Sequence, residues 1–209
     1  MKFWAAAIGN LTDGRYFAAY NAAYISFVLD SSHSDYIAPN VAAGIAGWLE
    51  GPQIVGVFGN SVSPIEIKAI ANTLHLDAVQ VDSTYDLYAL AGLPIVATIA
   101  VNSTVSIAAI ADYCAKHAPI VRAFYLDFSK MDIDFAKLQK SELVDYQALI
   151  ALCATYPIWL HCALTAADIP HIAADLRVEG LVLQGGEEDA VGLKSFDELD
   201  EIVEAIDNL

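Results

Sequence analysis

Three residues able to transfer protons each follow a short apolar run of the sequence. They are Asp82 after Ala78–Val81, Asp127 after Ala123–Leu126 and His161 after Ile158–Leu160. Carboxyl and imidazole groups are common general acids and bases in enzymes, and the unperturbed pKa of histidine, about 6.5, suits a base at neutral pH. We therefore take these three as candidate catalytic residues, with a loop cap for Asp127 and a structural role for His161 as the alternatives.

A second set of candidates is acidic. Asp30 follows the second apolar run, Asp35 lies in the segment after it, and Glu187 follows the last run. An acidic rim suits a cation or an amine better than a phosphate, although in so acidic a chain it is also typical of a solvated surface. Asp30 and the three catalytic candidates have donor types suited to a divalent ion. No local spacing supports such a site, so neither a metal nor a cofactor is predicted.

Groups that could hold an anion are few. Gly185 and Gly186 could present backbone amides to one, but Glu187, Glu188 and Asp189 follow at once. The loop after Asp127 carries basic residues that are interpreted as a solvated surface, namely Lys130, Lys137 and Lys140.

The composition excludes several classes of partner. Ten basic residues face twenty-six acidic ones, and the net charge of −16 repels nucleic acid and anionic membranes. No apolar run reaches the ~18–20 residues needed to span a bilayer, and Met1–Ile8 is interpreted as a buried strand rather than a signal peptide. The three cysteines fit a reducing compartment, with Cys162 as a buried thiol. We therefore expect a cytoplasmic protein.

Apolar runs alternate with segments of helical periodicity along the 209 residues. The predicted strands are Phe3–Ile8, Tyr24–Leu29, Gln53–Phe58, Ala78–Val81, Ile95–Ala100, Ala123–Leu126, Ile158–Leu160 and Gly180–Leu183. The predicted helices are Asp13–Asn21, Asn40–Leu49, Pro64–Leu74, Tyr85–Leu90, Val105–His117, Ser141–Tyr156, Ala166–Ala174 and Ser195–Ile206.

Strands that are apolar throughout are typical of a parallel sheet covered on both faces. Eight units favour a closed barrel over an open sheet, and no Gly-x-Gly-x-x-Gly follows the first strand. We predict one (β/α)8 TIM-barrel domain over residues 1–209, with its active site at the carboxyl ends of the strands. The longest irregular stretch is predicted at Asp127–Lys140.

Distinctive stretches accompany these elements. They are Tyr24–Leu29 followed by Tyr36–Pro39, Val55–Asn60 followed by Pro64–Ile67, and Leu76–Val81. In these stretches, and from end to end, the chain resembles the phosphoribosylanthranilate isomerase family, barrel enzymes of tryptophan biosynthesis. The resemblance implies an Amadori rearrangement of an aminoaldose phosphate, in which a general acid opens the sugar ring and a general base removes the adjacent carbon-bound proton. It also implies that Asp127, in the pair Leu126-Asp127, is the acid.

Other positions depart from the family. Its Lys-x-Cys-Gly motif, which carries the base, falls on residues 4–7, so Trp4 is expected to pack in the barrel and Ala6 cannot carry a proton. The arginine that helps hold the family's substrate falls on Asp35. The family's three phosphate loops are replaced by Asp127–Asp132, Cys162-Ala163 and Gln184–Glu188.

The sequence leaves three hypotheses. An isomerase, classed as an intramolecular oxidoreductase, would use Asp127 as acid and His161 or Asp82 as a relocated base. A non-catalytic barrel of the same family would bind a small ligand or a partner protein through its acidic mouth. A different barrel chemistry would bind a metal or an amine there. The expected ligand is a small molecule, either a phosphosugar or an amine. The Ala-rich segment Asn40–Leu49 is compatible with a homodimer interface and equally with packing against the barrel.

Overall fold

The predicted strands form one closed parallel barrel in the computed structural model, which describes residues 1–131, 133–185, 188–190, 193–194 and 196–209. The strands are β1 (Lys2–Ala6), β2 (Tyr24–Val28), β3 (Gln53–Phe58), β4 (Ala78–Asp82), β5 (Ile95–Ala100), β6 (Ala123–Asp127), β7 (Ile158–His161) and β8 (Gly180–Gln184). Each strand pairs with the next, and β1 pairs with β8 from Lys2 to Ala6. The (β/α)8 prediction is confirmed, and Asp82, Asp127 and His161 are the last residues of their strands.

The strands are apolar on both sides because they bury two separate cores. The larger core lies between the sheet and the surrounding helices. The smaller one fills the barrel interior with residues from all eight strands, among them Trp4, Tyr24, Tyr125 and Trp159. Trp4 packs edge-on to Tyr125 and Trp159 at ring-centroid distances of 5.6 and 5.5 Å. The predicted role of Trp4 in packing is confirmed. The aromatic layer fills the barrel interior beneath the carboxyl ends of the strands.

Several of the helices that cover the barrel begin where a side chain caps them. They are α1 (Leu11–Ala19), α2 (Pro39–Ala46), α3 (Pro64–Thr73), α4 (Ile107–His117), α5 (Phe135–Gln139), α6 (Tyr146–Thr155), α7 (Ile169–Asp175) and α8 (Asp197–Asp207). Asn10, Ser63 and Ser106 each accept a backbone N–H from the first turn of α1, α3 and α4. Thr165 and Asp168 form the capping box that their spacing predicts, and a short 3₁₀ turn there leads into α7.

Three predicted elements need correction. The stretch Asp127–Lys140 is not irregular throughout, because Asp134 caps α5 by accepting the Lys137 N–H at 2.8 Å and α5 buries Phe135 and Leu138. The helix predicted from Ser141 begins later, at Tyr146, because Asp145 caps it.

The helix predicted at Tyr85–Leu90 is a 3₁₀ turn, Leu87–Leu90, capped by Asp86. An antiparallel pair of short strands, Glu188–Ala190 and Leu193–Lys194, follows β8. Across the described residues, every helix is too short or too polar to cross a membrane.

Candidate functional site

A cavity of about 360 Å³ opens at the carboxyl end of the barrel. Its lining brings together all three candidate catalytic residues and two of the candidate ligand-binding residues, namely Asp82, Asp127, His161, Asp30 and Asp35. Side chains of strand ends converge here because parallel strands place their carboxyl ends at one mouth of the barrel. The residues named from separate parts of the sequence therefore share one cavity.

The centre of this site is a contact between β6 and β7. Asp127 and His161 are register partners in the paired strands, so their side chains lie next to each other. The Asp127 Oδ1 atom lies 3.2 Å from His161 Nδ1, and the Tyr125 hydroxyl lies 3.0 Å from the same nitrogen. His161 and Tyr125 are both buried. Across the described part of the chain, no hydrogen bond to protein engages the other ring nitrogen of His161, Nε2, which leaves it for a ligand.

The electrostatics of this centre keep Asp127 ionised. Burial acts to raise the pKa of Asp127, but hydrogen bonds from His161 and Ser129 outweigh it and lower the pKa to about 2. Ser129 contributes its N–H at 3.0 Å and its hydroxyl at 2.6 Å, both to Asp127 Oδ1. Burial, together with the neighbouring carboxylate, raises the pKa of Tyr125 well above its usual value. The site therefore holds a carboxylate, an imidazole and a protonated phenol in one hydrogen-bonded group.

Asp82 lies on the same mouth but in a different setting. Its Oδ1 accepts the Thr84 N–H at 2.8 Å and the Thr84 hydroxyl at 2.7 Å, so the carboxylate closes the turn that follows β4. Asn60 donates to the Thr84 hydroxyl at 2.7 Å and ties this turn to the loop after β3. Asp82 thus lies at the cavity, and among the described residues no imidazole or phenol hydrogen-bonds to its carboxylate.

Asp30 joins two loops of the mouth. It accepts the N–H and hydroxyl of Ser32 at 2.9 and 2.8 Å, the hydroxyl of Ser61 at 2.8 Å and the N–H of Gly59 at 3.1 Å. These bonds, the Ser32 N–H foremost, lower its pKa despite its burial. A Cβ at Gly59 would overlap the Asp30 carboxylate, which explains a glycine there. The carboxylate that sequence analysis placed in a ligand rim is thus fully engaged in holding the β2 and β3 loops together.

Sequence analysis missed the polar lining deeper in the cavity. Gln80 and Ser26 are buried among the apolar strands, and Gln80 donates to the Thr98 hydroxyl at 2.9 Å. Tyr125 was also missed, although it lies two residues before Asp127 and so on the same face of β6. Polar residues at alternate positions, read backwards from each strand end, are the signal that would have identified them.

The end of β1 lacks an acid–base group. Ala6 lies at the cavity wall and is buried. Ala7, which follows it, has a φ of 53°, a left-handed conformation that favours glycine. Asp35 is exposed, and its N–H donates to His33 Nδ1 at 3.1 Å. Among the described residues, this side of the mouth therefore has no acid–base side chain from the end of β1 and has the exposed carboxylate of Asp35.

The ends of β7 and β8 border a second cavity of about 400 Å³, which shares Ser129, His161 and Gln184 with the first. Its described lining contains Glu198 and no lysine or arginine. Helix α8 begins beside it with three acids in its first turn, Asp197, Glu198 and Asp200. These acids complement the positive end of the helix dipole that an anion would otherwise use.

Two candidate residues of this region, Gly186 and Glu187, lie outside the described residues. Gly185 is described and lies at an adjoining cavity that Asp35 also lines.

Cysteine and metal chemistry find little support. Burial raises the pKa of the Cys162 thiol to about 12, which keeps it protonated and unreactive at neutral pH. Among the described residues, no group of three histidine, cysteine or acidic side chains is arranged to hold a metal ion.

Comparisons with known proteins support the fold. No family model and no curated protein sequence matches the chain. The solved phosphoribosylanthranilate isomerase of Thermotoga maritima superposes with a TM-score of 0.79 at 18% identity, covering 100% of both chains. An isomerase of this type in complex with reduced 1-(o-carboxyphenylamino)-1-deoxyribulose 5-phosphate gives a TM-score of 0.73 at 18% identity, again over 100% of both chains.

A 3-hexulose-6-phosphate synthase gives a TM-score of 0.68 at 14% identity, over 98% of this chain and 99% of that one. At such identities the similarity establishes the (β/α)8 fold of these enzymes, and enzymes of different activities share it.

Proposed function

We propose that this chain is a diverged member of the phosphoribosylanthranilate isomerase family whose barrel mouth carries out proton transfer on a small carbonyl compound without a phosphate group. His161 is the acid–base residue, and Asp127 is the carboxylate that positions it. The observation that carries this proposal is the buried pair at the end of β6 and β7, with Asp127 Oδ1 3.2 Å from His161 Nδ1. A carboxylate that fixes one imidazole nitrogen leaves the other in a defined state for chemistry.

The charge state of Asp127 favours a role as the carboxylate that positions His161 over a role as the general acid. With its pKa lowered to about 2, Asp127 favours the ionised form, which suits a hydrogen-bond acceptor for His161 better than the proton donor that the family resemblance implies. It can accept the Nδ1–H of His161 and hold that ring in place. We therefore assign Asp127 as a positioning residue and His161 as the residue that exchanges protons with the ligand.

The reaction class that fits is an aldose–ketose isomerisation. Nε2 of His161 takes the proton from the hydroxyl-bearing carbon next to a carbonyl, the electrons of that C–H bond form the C=C bond of an enediolate, and the carbonyl electron pair moves to oxygen. The proton of the neighbouring hydroxyl passes to this oxygen, the C–O bond at the second carbon becomes the new carbonyl, and the C=C electrons take the proton back from Nε2 at the former carbonyl carbon, which completes the isomerisation. Gln80 and Thr98 line the same cavity and are suited to hydrogen-bond the oxygens of a sugar.

The ligand is expected to lack a phosphate group because the charges around the mouth are mostly negative. Four aspartates line the main cavity, and Lys130 is the one lysine or arginine among its described lining residues. The second cavity has Glu198 beside the acidic start of α8, where a helix end would otherwise attract an anion. An uncharged sugar derivative or an amine therefore fits this mouth better than a phosphosugar.

One observation favours a second function. Ala6 occupies the position at which the resembled family carries its base, and it is buried at the cavity wall. If His161 does not exchange protons with a ligand, the same cavity serves a non-catalytic barrel that binds a small molecule. Both readings treat residues 1–209 as one domain, since β1 and β8 close the barrel.

The test is proton exchange in D₂O. Ribose and ribulose would be incubated with the protein, and deuterium at the carbon next to the carbonyl would be followed by NMR. We expect incorporation by the wild type, a loss of about 100-fold or more in His161→Asn, and no loss in the control His171→Asn, whose histidine lies on α7. Equal exchange in wild type and His161→Asn would remove the assignment. Ligand binding without exchange would favour the non-catalytic barrel.

A further inference from the structure

Two groups of different character approach a single nitrogen of His161. The Tyr125 hydroxyl lies 3.0 Å from Nδ1, and Asp127 Oδ1 lies 3.2 Å from it. An imidazole nitrogen has one hydrogen-bonding position in the plane of the ring, occupied either by a proton or by a lone pair. It can therefore make one well-aligned bond at a time, with Asp127 or with Tyr125.

The two partners select opposite tautomers. The ionised Asp127 only accepts, so a bond to it requires the proton on Nδ1 and leaves the lone pair on Nε2. The Tyr125 hydroxyl can donate, and a bond from it requires the lone pair on Nδ1 and places the proton on Nε2. We propose that Tyr125 is a positioning residue that competes with Asp127 for Nδ1, so that His161 presents either a proton acceptor or a proton donor to the cavity without moving its ring.

The surroundings balance the two states. The bond to a carboxylate is charge-assisted and favours the Nδ1–H form. The Tyr125 hydroxyl is buried, and among the described residues His161 is its hydrogen-bond partner, so the Nδ1–H form leaves a buried hydroxyl proton without an acceptor. Ser129 donates two bonds to the same Oδ1 and so weakens its hold on the imidazole. Neither tautomer satisfies every group, and this is the condition for both to be populated.

This competition deepens the proposed function and rests on it for its chemical meaning. In the form held by Asp127, Nε2 is a base for a carbon-bound proton. In the form held by Tyr125, Nε2–H is a neutral donor for a carbonyl or ring oxygen. A ligand therefore selects the tautomer that complements it.

The experiment is ¹⁵N NMR of the imidazole nitrogens in the ligand-free protein, at a pH at which His161 is neutral. The chain has five histidines, so the His161 signals are assigned by their loss in His161→Asn. In the wild type we expect shifts between those of the two pure tautomers. Tyr125→Phe should move them to the pure Nδ1–H form, and Asp127→Asn should move them to the Nε2–H form, because an amide can donate to the Nδ1 lone pair.

A matched control is Tyr24→Phe, since Tyr24 lies in the same aromatic cluster of the barrel interior and contacts Trp4 and Trp159. It should leave the His161 shifts unchanged. Identical His161 shifts in wild type and Tyr125→Phe would overturn the inference. The measurement needs no turnover, so it separates the tautomer competition from the proposed isomerisation, which the deuterium assay tests on its own.

Discussion

At the scale of single residues, the proposed chemistry depends on which side chains meet at Nδ1 of His161. The sequence places Asp127 and His161 at the ends of two apolar runs, which suffices to predict that both lie at the mouth. It does not predict their pairing, which comes from the register of β6 against β7. Nor does it reveal Tyr125, because a tyrosine inside an apolar run is more simply interpreted as core. The depressed pKa of Asp127 depends on hydrogen bonds that only the folded structure supplies.

Asp127 should contribute a pH-dependent part of the stability. Its pKa is lowered to about 2 in the folded state, so its contribution is complete above the unfolded pKa near 4 and is lost as the pH falls towards 2. Chemical unfolding of wild type and Asp127→Asn from about pH 6 to about pH 2 should show their free-energy difference shrinking by about 1–2 kcal/mol. The exposed Asp35→Asn variant is the control and should follow the wild type. A difference that is constant with pH would contradict the assigned ionisation.

Ala7 should gain stability when it is changed to glycine. Its φ of 53° costs an alanine conformational energy that a glycine avoids, so Ala7→Gly is expected to raise the free energy of unfolding by about 1 kcal/mol. Ala43→Gly, on the exposed side of α2, should instead lower it by about 0.5–1 kcal/mol. Urea unfolding of both variants checks the contrast, and a loss of stability in both would show that Ala7 is not strained.

At the scale of elements, the strands were predictable and the mouth loops were only partly so. Apolar runs bounded by polar residues locate the strands to within two residues at each end. The helix at Phe135–Gln139 was not predictable from periodicity, since five residues are too few to show it. Four mouth loops share one turn, in which an aspartate or asparagine accepts both the N–H and the hydroxyl of a serine or threonine two residues later. The acceptors are Asp30, Asp82, Asn102 and Asp127.

An aspartate that bonds to a second loop should contribute more to the free energy of unfolding than one that bonds only within its own turn. Asp30 bonds across to Gly59 and Ser61 of the next loop, whereas Asp82 bonds within its own turn. Asp30→Ala removes a buried carboxylate that accepts four hydrogen bonds from two loops and is expected to lower the free energy of unfolding by about 2–4 kcal/mol, against about 1 kcal/mol for Asp82→Ala. Urea unfolding of the two variants measures this difference. Equal losses would mean that Asp30 does not link the loops.

At the scale of the whole molecule, the fold is similar to that of an enzyme solved with a phosphorylated compound, whereas the charge of this chain disfavours a phosphorylated ligand. The barrel superposes on isomerases over their full length, one of them solved with a 5-phosphate compound bound. The chain nevertheless carries a net charge of −16, and its mouth is lined by four aspartates. The fold could be predicted from the alternation of apolar runs and helical segments along the sequence, because hydrophobic periodicity determines where strands and helices form. The ligand could not, because it depends on how loops far apart in the sequence arrange their charges around one cavity.

The most direct test compares two substrates that differ only in the phosphate group, phosphoribosylanthranilate and ribosylanthranilate. Isomerisation of each would be followed by the loss of anthranilate fluorescence, with His161→Asn as the inactive control. Our account predicts turnover of ribosylanthranilate that depends on His161, with a kcat/KM at least equal to that of the phosphorylated compound. A preference for phosphoribosylanthranilate of about 100-fold or more, which corresponds to about 2.8 kcal/mol of phosphate recognition, would contradict it.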